Sequence, residues 1–263
     1  MDLPITYVLV HGAFANAAHW SPLVRALALR GHRALAVDLP GHGLDARPGG
    51  MAGISTADDV AAVVDVVRAA REHGPVVLVG HSRGGLTVTA VANAVPELLD
   101  RVVYVSAWCC AGAGPSEYAT VAPSALDRLA PRLLLADPAE VGELRVDFRT
   151  TDPELLDALQ DALLADGTRT ELHAMLATMD LGEALAIDET AVRVDPERWG
   201  TLPHTYVRLA DDRALLPALQ DRFVADADAL LPVPFATAEL ATSHLGVQLR
   251  PAALADVLVP TGP

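Results

Sequence analysis

Ser82 stands in Gly80-His81-Ser82-Arg83-Gly84, after four strand-forming residues and before a helical pattern. A serine at the tip of a sharp strand-to-helix turn is presented for nucleophilic attack. The glycines on either side spare the neighbouring backbones a side-chain collision. The helix that follows aims its N-terminal N–H groups and positive dipole end at negative charge growing beside Ser82. A serine hydroxyl is a weak nucleophile alone. It needs a base to take its proton and an acid to orient that base.

The base must come from the histidines downstream, which are His173, His204 and His244. His204 opens a strand pattern over 203–207, at the wrong end of a sheet. His173 shares a helical stretch with Leu172, Met175 and Leu176, which predicts a partly buried helix residue. His244 lies in the loop 241–246, just past a strand-like segment at 234–240. Open α/β sheets keep their chemistry at the carboxyl ends of strands, so His244 is the candidate base. The acid should leave the preceding strand, 204–209, where Asp211 and Asp212 are adjacent candidates. The strand before that, 101–108, is followed by no acid until Glu117. Near the start, a strand at 7–10 runs into His11-Gly12-Ala13-Phe14. The amide of Ala13, with Phe14 as the alternative, and the amide of Arg83 are candidate oxyanion donors. Each can be worth about 3 kcal/mol in the transition state. His11 and His81 read as buried residues that brace their turns.

These groups need a scaffold that brings strand ends to one edge. Strand-like runs occur at 5–10, 33–38, 76–79, 102–106, 205–209 and 233–240, with helical patterns at 20–29, 56–71, 86–95, 215–230 and 252–257. The alternation predicts an α/β fold: an open, mostly parallel sheet of about six strands with helices on both faces. It breaks once. Residues 111–200 read as helical, with no convincing strand. Asp152 caps a helix opened by Pro153, and a second helix covers about 170–178. The expected organisation is a core of 1–110 and 201–263, with 111–200 a helical cap inserted after the fourth strand. The Pro/Gly-rich stretch 40–53 is expected at the surface. Phe14, Trp20, Trp108 and Met175 flank the chemical elements and are candidate pocket-lining residues.

The 263 residues suffice for one domain of this kind, and 51% hydrophobic with 20% charged content fits a compact core. A net charge of −15 argues against nucleic acid and anionic membrane surfaces as partners. No leader is expected at 1–4, and no apolar run reaches the length of a membrane span. Cys109 and Cys110 are adjacent, so two reduced thiols, and with them a cytoplasmic location, are expected. No His/Cys spacing suggests a metal site, and no cofactor is expected.

Four pieces resemble one family: residues 8–13, residues 37–43, Gly80 to Gly85, and Tyr206 to Arg213. Together with the helical insert they make the chain, from 7 to 258, similar to the α/β-hydrolases. Within that fold it is similar to the cofactor-free group of plant methyl esterases and hydroxynitrile lyases. The resemblance implies that the acid is Asp212, the aspartate before a basic residue, and that the oxyanion amide after the His-Gly pair is that of Ala13. It also implies a Ser82–His244–Asp212 serine esterase, with a small, mostly apolar ester as the expected substrate; a homodimer is a candidate assembly. Two departures stand against a lyase. The lyases carry Thr where this chain has Gly12, and Lys where it has Leu245. A triad-bearing lyase, cyclase or thioesterase is the alternative reading, and a non-catalytic ligand receptor a third.

Overall fold

The computed structural model describes residues 4–120 and 124–259. Residues 1–3, part of the stretch read above for a leader, lie outside the described residues. In chain order the core runs β1 (Thr6–Val10), α1 (Ser21–Ala28), β2 (Arg33–Val37), α2 (Thr56–Arg71), β3 (Val76–Ser82), α3 (Gly84–Ala94) and β4 (Arg101–Ala107). An insert follows: α4 (Pro115–Tyr118), α5 (Ala125–Leu133), α6 (Pro138–Val141), β5 (Glu143–Arg145), α7 (Pro153–Leu163), α8 (Arg169–Thr178) and β6 (Gly182–Ala184). The core resumes with β7 (His204–Leu209), α9 (Pro217–Asp228), β8 (Ala236–Leu240) and α10 (Pro251–Leu258).

Six strands form one sheet in the order β2-β1-β3-β4-β7-β8, every neighbouring pair parallel. Side chains alternate across it, as the period of a strand requires. Val8, Val10, Leu78, Val102, Tyr104 and Tyr206 meet Val63, Val67, Val88, Val91 and Phe223 of α2, α3 and α9 on one face. Tyr7, Leu9, Val77, Val79, Val103, Val105 and Val207 meet Leu23, Leu27, Leu254 and Leu258 of α1 and α10 on the other. Both faces are therefore covered, and the carboxyl ends of β1, β3, β4, β7 and β8 are left to build a site.

The ends of α2 follow from its caps. Ser55 accepts from the Asp58 N–H, and the Asp58 carboxylate accepts from the Ser55 N–H, a reciprocal box that starts the helix at Thr56. Asp152 caps α7 through the Glu154 and Leu155 amides, and Thr168 caps α8 through Glu171.

Two expectations need correction. The insert is not wholly helical: β5 and β6 pair antiparallel, Glu143 with Ala184 and Arg145 with Gly182. Three-residue strands are too short to display an alternating pattern. The stretch 40–53 is exposed at 44–49 and again at 52 and 53, whereas His42 and Met51 within it are buried. The insert has its own apolar centre, where Leu133, Phe148, Leu155, Leu159, Leu172 and Leu176 gather with Leu245 from the core.

Candidate active site

Strand β3 ends at Ser82, whose φ of 54° lies in the left-handed region that a residue bearing a side chain adopts only under constraint. The constraint is close packing. A Cβ on Gly84 would sit 2.5 Å from the His11 carbonyl oxygen, so the turn admits no side chain there. The Trp108 N–H donates to the Ser82 carbonyl and ties the turn to the end of β4.

Ser82 Oγ lies 2.9 Å from His244 Nε2, and His244 Nδ1 lies 2.6 Å from Asp212 Oδ2. A carboxylate only accepts, so Nδ1 carries the proton and the Nε2 lone pair faces the Ser82 hydroxyl. That tautomer is the one a general base needs. Asp212 is buried and fully engaged. Its Oδ1 accepts from the Ala214 and Leu215 amides at 2.8 Å each, and its Oδ2 also accepts from Ser106 Oγ at 2.7 Å. Asp211 points to solvent. The structure therefore brings Ser82, His244 and Asp212 into one line and leaves Asp211 out. Ser106, at the end of β4 with φ 38°, had no signal in the sequence beyond its strand-end position.

Across Ser82, the Ala13 and Arg83 amides have no protein acceptor among the described residues. The Phe14 N–H donates to Glu183 Oε2 at 2.8 Å, which removes it as the alternative oxyanion donor. Gly12 lies against the nucleophile: a Cβ there would be 2.8 Å from the Ser82 Cβ.

Residues 7–257 match the model of the alpha/beta hydrolase family. The chain belongs to this family. It is similar to a pyrethroid hydrolase from Sphingobium wenxiniae, 26% identical over 95% of this chain and 85% of that protein. It is also similar to an esterase from Oryza sativa subsp. japonica, 37% identical, and to an alpha-hydroxynitrile lyase from Arabidopsis thaliana, 32% identical. Those two matches span only 38% and 39% of this chain, and the same shares of the plant proteins. The fold is that of a solved pyrethroid hydrolase, with TM-score 0.76, 24% identity, and coverage of 97% of this chain and 96% of that one. The polyneuridine aldehyde esterase has the same fold, with TM-score 0.75, 20% identity, and coverage of 97% and 98%. The names of the pyrethroid hydrolase and the esterases among these relatives agree with the expected ester-cleaving enzyme.

The site of this α/β-hydrolase opens into two lobes that share Ala13, Ser82, His244 and Leu126. The closed lobe, of about 150 Å³, is walled by Phe14, Leu133, Val146, Phe148, Leu163, Met179 and Leu245. The larger lobe, of about 580 Å³, runs past Leu86, Trp108, Leu185, Ile187 and Leu215 to Ser116 and Glu189. Phe14 and Trp108 thus line the site. Trp20 does not: the last residue before α1, it is packed into the core on the α1 face of the sheet, fully buried and 6.2 Å from the His81 ring. Met175 does not either, because α8 points Leu172 and Leu176 inward and leaves Met175 half-buried beside them; Met179 reaches the lobe instead. His173 is exposed rather than partly buried.

The remaining histidines brace. His11 Nε2 accepts from the Leu39 N–H at 3.1 Å and its Nδ1–H donates to the Gly12 carbonyl, so it is neutral; burial pushes its pKa down to about 3. His81 Nε2 donates to the His244 carbonyl at 3.2 Å, and burial, then the neighbouring His244, hold it well below its ordinary range. His204 stacks on Trp199 at 3.7 Å, and burial lowers it to about 4.

Sequence reasoning missed the fasteners that come from the insert. Asp166 accepts from Thr242 Oγ1 at 2.7 Å and from Ser243 Oγ, and pairs with Arg250 at 2.8 Å. The Leu245 N–H donates to the Leu163 carbonyl at 2.8 Å. The loop that carries His244 is thereby tied to the insert on both sides. Among the described residues no group of three or more His, Cys, Asp and Glu side chains could hold a metal ion, and no helix is long and apolar enough to cross a membrane.

Proposed function

We propose that this α/β-hydrolase is a serine esterase for small, mostly apolar esters. The observation that carries the reading is the Ser82–His244–Asp212 line, 2.9 and 2.6 Å between its members, at the junction of two apolar lobes. His244 Nε2 takes the Ser82 proton as Oγ attacks the ester carbonyl carbon. Asp212 holds the imidazolium so formed. The carbonyl oxygen becomes an oxyanion facing the free Ala13 and Arg83 amides. The tetrahedral adduct collapses, His244 returns the proton to the departing alkoxide, and the alcohol leaves. Water then attacks the acyl-enzyme by the same route and releases the acid.

The lobes bear on the substrate. The closed lobe offers carbon and sulfur surfaces and suits a compact apolar group on one side of the ester. The larger lobe accommodates a bulkier group and places Ser116 and Glu189 at its far end. The pyrethroid hydrolase similar along most of the chain makes pyrethroids worth including in a substrate panel. A lyase is disfavoured by the residues. Leu245, where the lyases carry Lys, is buried against the insert, and all 19 basic residues of the chain are arginine.

The test is hydrolysis of p-nitrophenyl acetate and butyrate by the wild type and Ser82→Ala, alongside cyanide release from mandelonitrile. The serine variant should keep its thermal midpoint and lose more than roughly a thousandfold in turnover. Retention of a tenth of the wild-type rate, or cyanide release faster than ester cleavage at matched concentration, would overturn the reading.

A further inference from the structure

Resting on the serine-esterase reading, we propose that Glu183 of the insert is a positioning residue for the oxyanion hole, one buried carboxylate that sets both amide donors. Glu183 lies in β6, and its four contacts use both oxygens. Oε2 accepts from the Phe14 N–H at 2.8 Å and faces His42 Nε2 at 3.3 Å. Oε1 pairs with the Arg83 guanidinium at 3.1 Å and accepts from the Ala184 N–H at 3.0 Å. The two donor amides belong to Ala13 and Arg83. One is the neighbour of a residue that Glu183 holds by its backbone, and the other belongs to a residue that Glu183 holds by its side chain.

The geometry explains why the hole needs a fastener. Phe14 has φ 57°, a left-handed conformation that a residue with a side chain rarely adopts and that persists only when its surroundings impose it. Residues 180–184 impose it from both sides. Glu183 takes the Phe14 N–H, and the Asp180 N–H donates to the Phe14 carbonyl at 2.8 Å. The Ala13–Phe14 peptide is thus fixed, and with it the direction of the Ala13 N–H one residue earlier. Oxyanion donors work because they are already aimed when charge develops. A peptide free to turn would forfeit that aim.

The electrostatics fit a permanent carboxylate. Burial alone would raise the Glu183 carboxyl, but the Arg83 guanidinium, His42 and the Phe14 amide outweigh it and hold it down to about 2. His42 is raised by this partner although burial opposes it. Arg83 is also 3.9 Å from Asp59, whose carboxyl burial pushes up to about 6, so Glu183 is the closer and more fully charged partner of the guanidinium. Its contacts thus fall on Arg83 itself and on Phe14, the residue after Ala13.

The full chain, with p-nitrophenyl butyrate as substrate, provides the test. Glu183→Gln preserves shape and one acceptor but removes the charge that holds Arg83. Glu183→Asp keeps the charge and shortens the reach. We expect kcat of Glu183→Gln to fall 10- to 100-fold with KM within threefold of wild type. Affinity for a trifluoromethyl ketone, whose adduct with Ser82 places an oxyanion in the hole, should fall by the same factor. Affinity for the matching unreactive alcohol should hold within threefold. Glu183→Asp should recover thermal stability more than turnover. A fall in thermal midpoint with kcat within threefold, or equal weakening of ketone and alcohol, would overturn the proposal. If Glu183→Gln does not fold, the same measurements on Glu183→Asp decide. Ser82→Ala separates the failures: an active serine variant sinks the esterase reading itself, whereas an inactive one beside a fully active Glu183→Gln sinks only the role of Glu183.

Discussion

The groups proposed to react all leave carboxyl ends of sheet strands: Ser82 from β3, Asp212 after β7 and His244 after β8. Part of the closed lobe's wall and two fasteners of the site come instead from the insert: Phe148, Leu163 and Met179 line the lobe, and Asp166 and Glu183 hold core loops. The core holds its groups from within, Asp212 on the amides two and three residues ahead and on Ser106 of β4, and the His244 carbonyl on His81 of β3. The insert reaches across the chain, with Glu183 bonded to a residue 169 positions away. A six-stranded sheet fixes where atoms react. A separately packed layer fixes what may approach them and how firmly the reacting loops are held.

The comparison breaks most severely at the sheet. Asp212→Asn should lower kcat roughly a thousandfold or more, because it removes the group that sets the His244 tautomer and steadies its charged form. Asp211→Asn, on an exposed side chain, should stay within twofold. Steady-state rates of the two variants side by side give the answer, and a reversed order would assign the acid to Asp211. On the insert side, Asp166→Ala should cost roughly tenfold in kcat, since it unties Thr242, Ser243 and Arg250 and loosens the loop of His244 without touching a reacting atom. An unchanged rate would mean that the sheet alone holds His244.

The smallest effect is expected far from both. His204 has an ordinary pKa of 6.5 and about 4 in the fold, so the native state binds fewer protons than the unfolded chain between those values. Its stabilising contribution is complete above pH 6.5 and is lost as pH falls through 4. His204→Phe should leave turnover at pH 7.5 unchanged and reduce the drop in thermal midpoint between pH 6.5 and 5 by roughly 3 °C. An identical pH slope in both proteins would remove His204 from the acid sensitivity.

Local signals are legible in the sequence. The strand, elbow and helix around Ser82 are contiguous in the chain, and the helical pattern at 56–71 coincides with α2. Direction was harder. Asp211 and Asp212 are adjacent candidates, only the resemblance singles out Asp212, and the end of β7 turns that one inward. Trp20 and Met175 flank the right elements but point away from the cavity, because adjacency along a helix says nothing about azimuth. Glu183 and Asp166 were invisible for a different reason: their meaning lies in partners that only the folded topology brings near.

Gly12 carries a consequence for how such a protein can change. Its absent side chain is what lets the first loop press on Ser82, with a Cβ there only 2.8 Å from the Ser82 Cβ. The lyases that this chain resembles carry Thr at that place. A lineage moving from this backbone toward that one by single substitutions would meet a collision at the nucleophile first. For a threonine to enter, the first loop or Ser82 would have to shift, and the first loop is tied to residues 180–184 through Phe14. The two chemistries are near neighbours in sequence, yet here a backbone step separates them, and the order of changes is constrained by geometry.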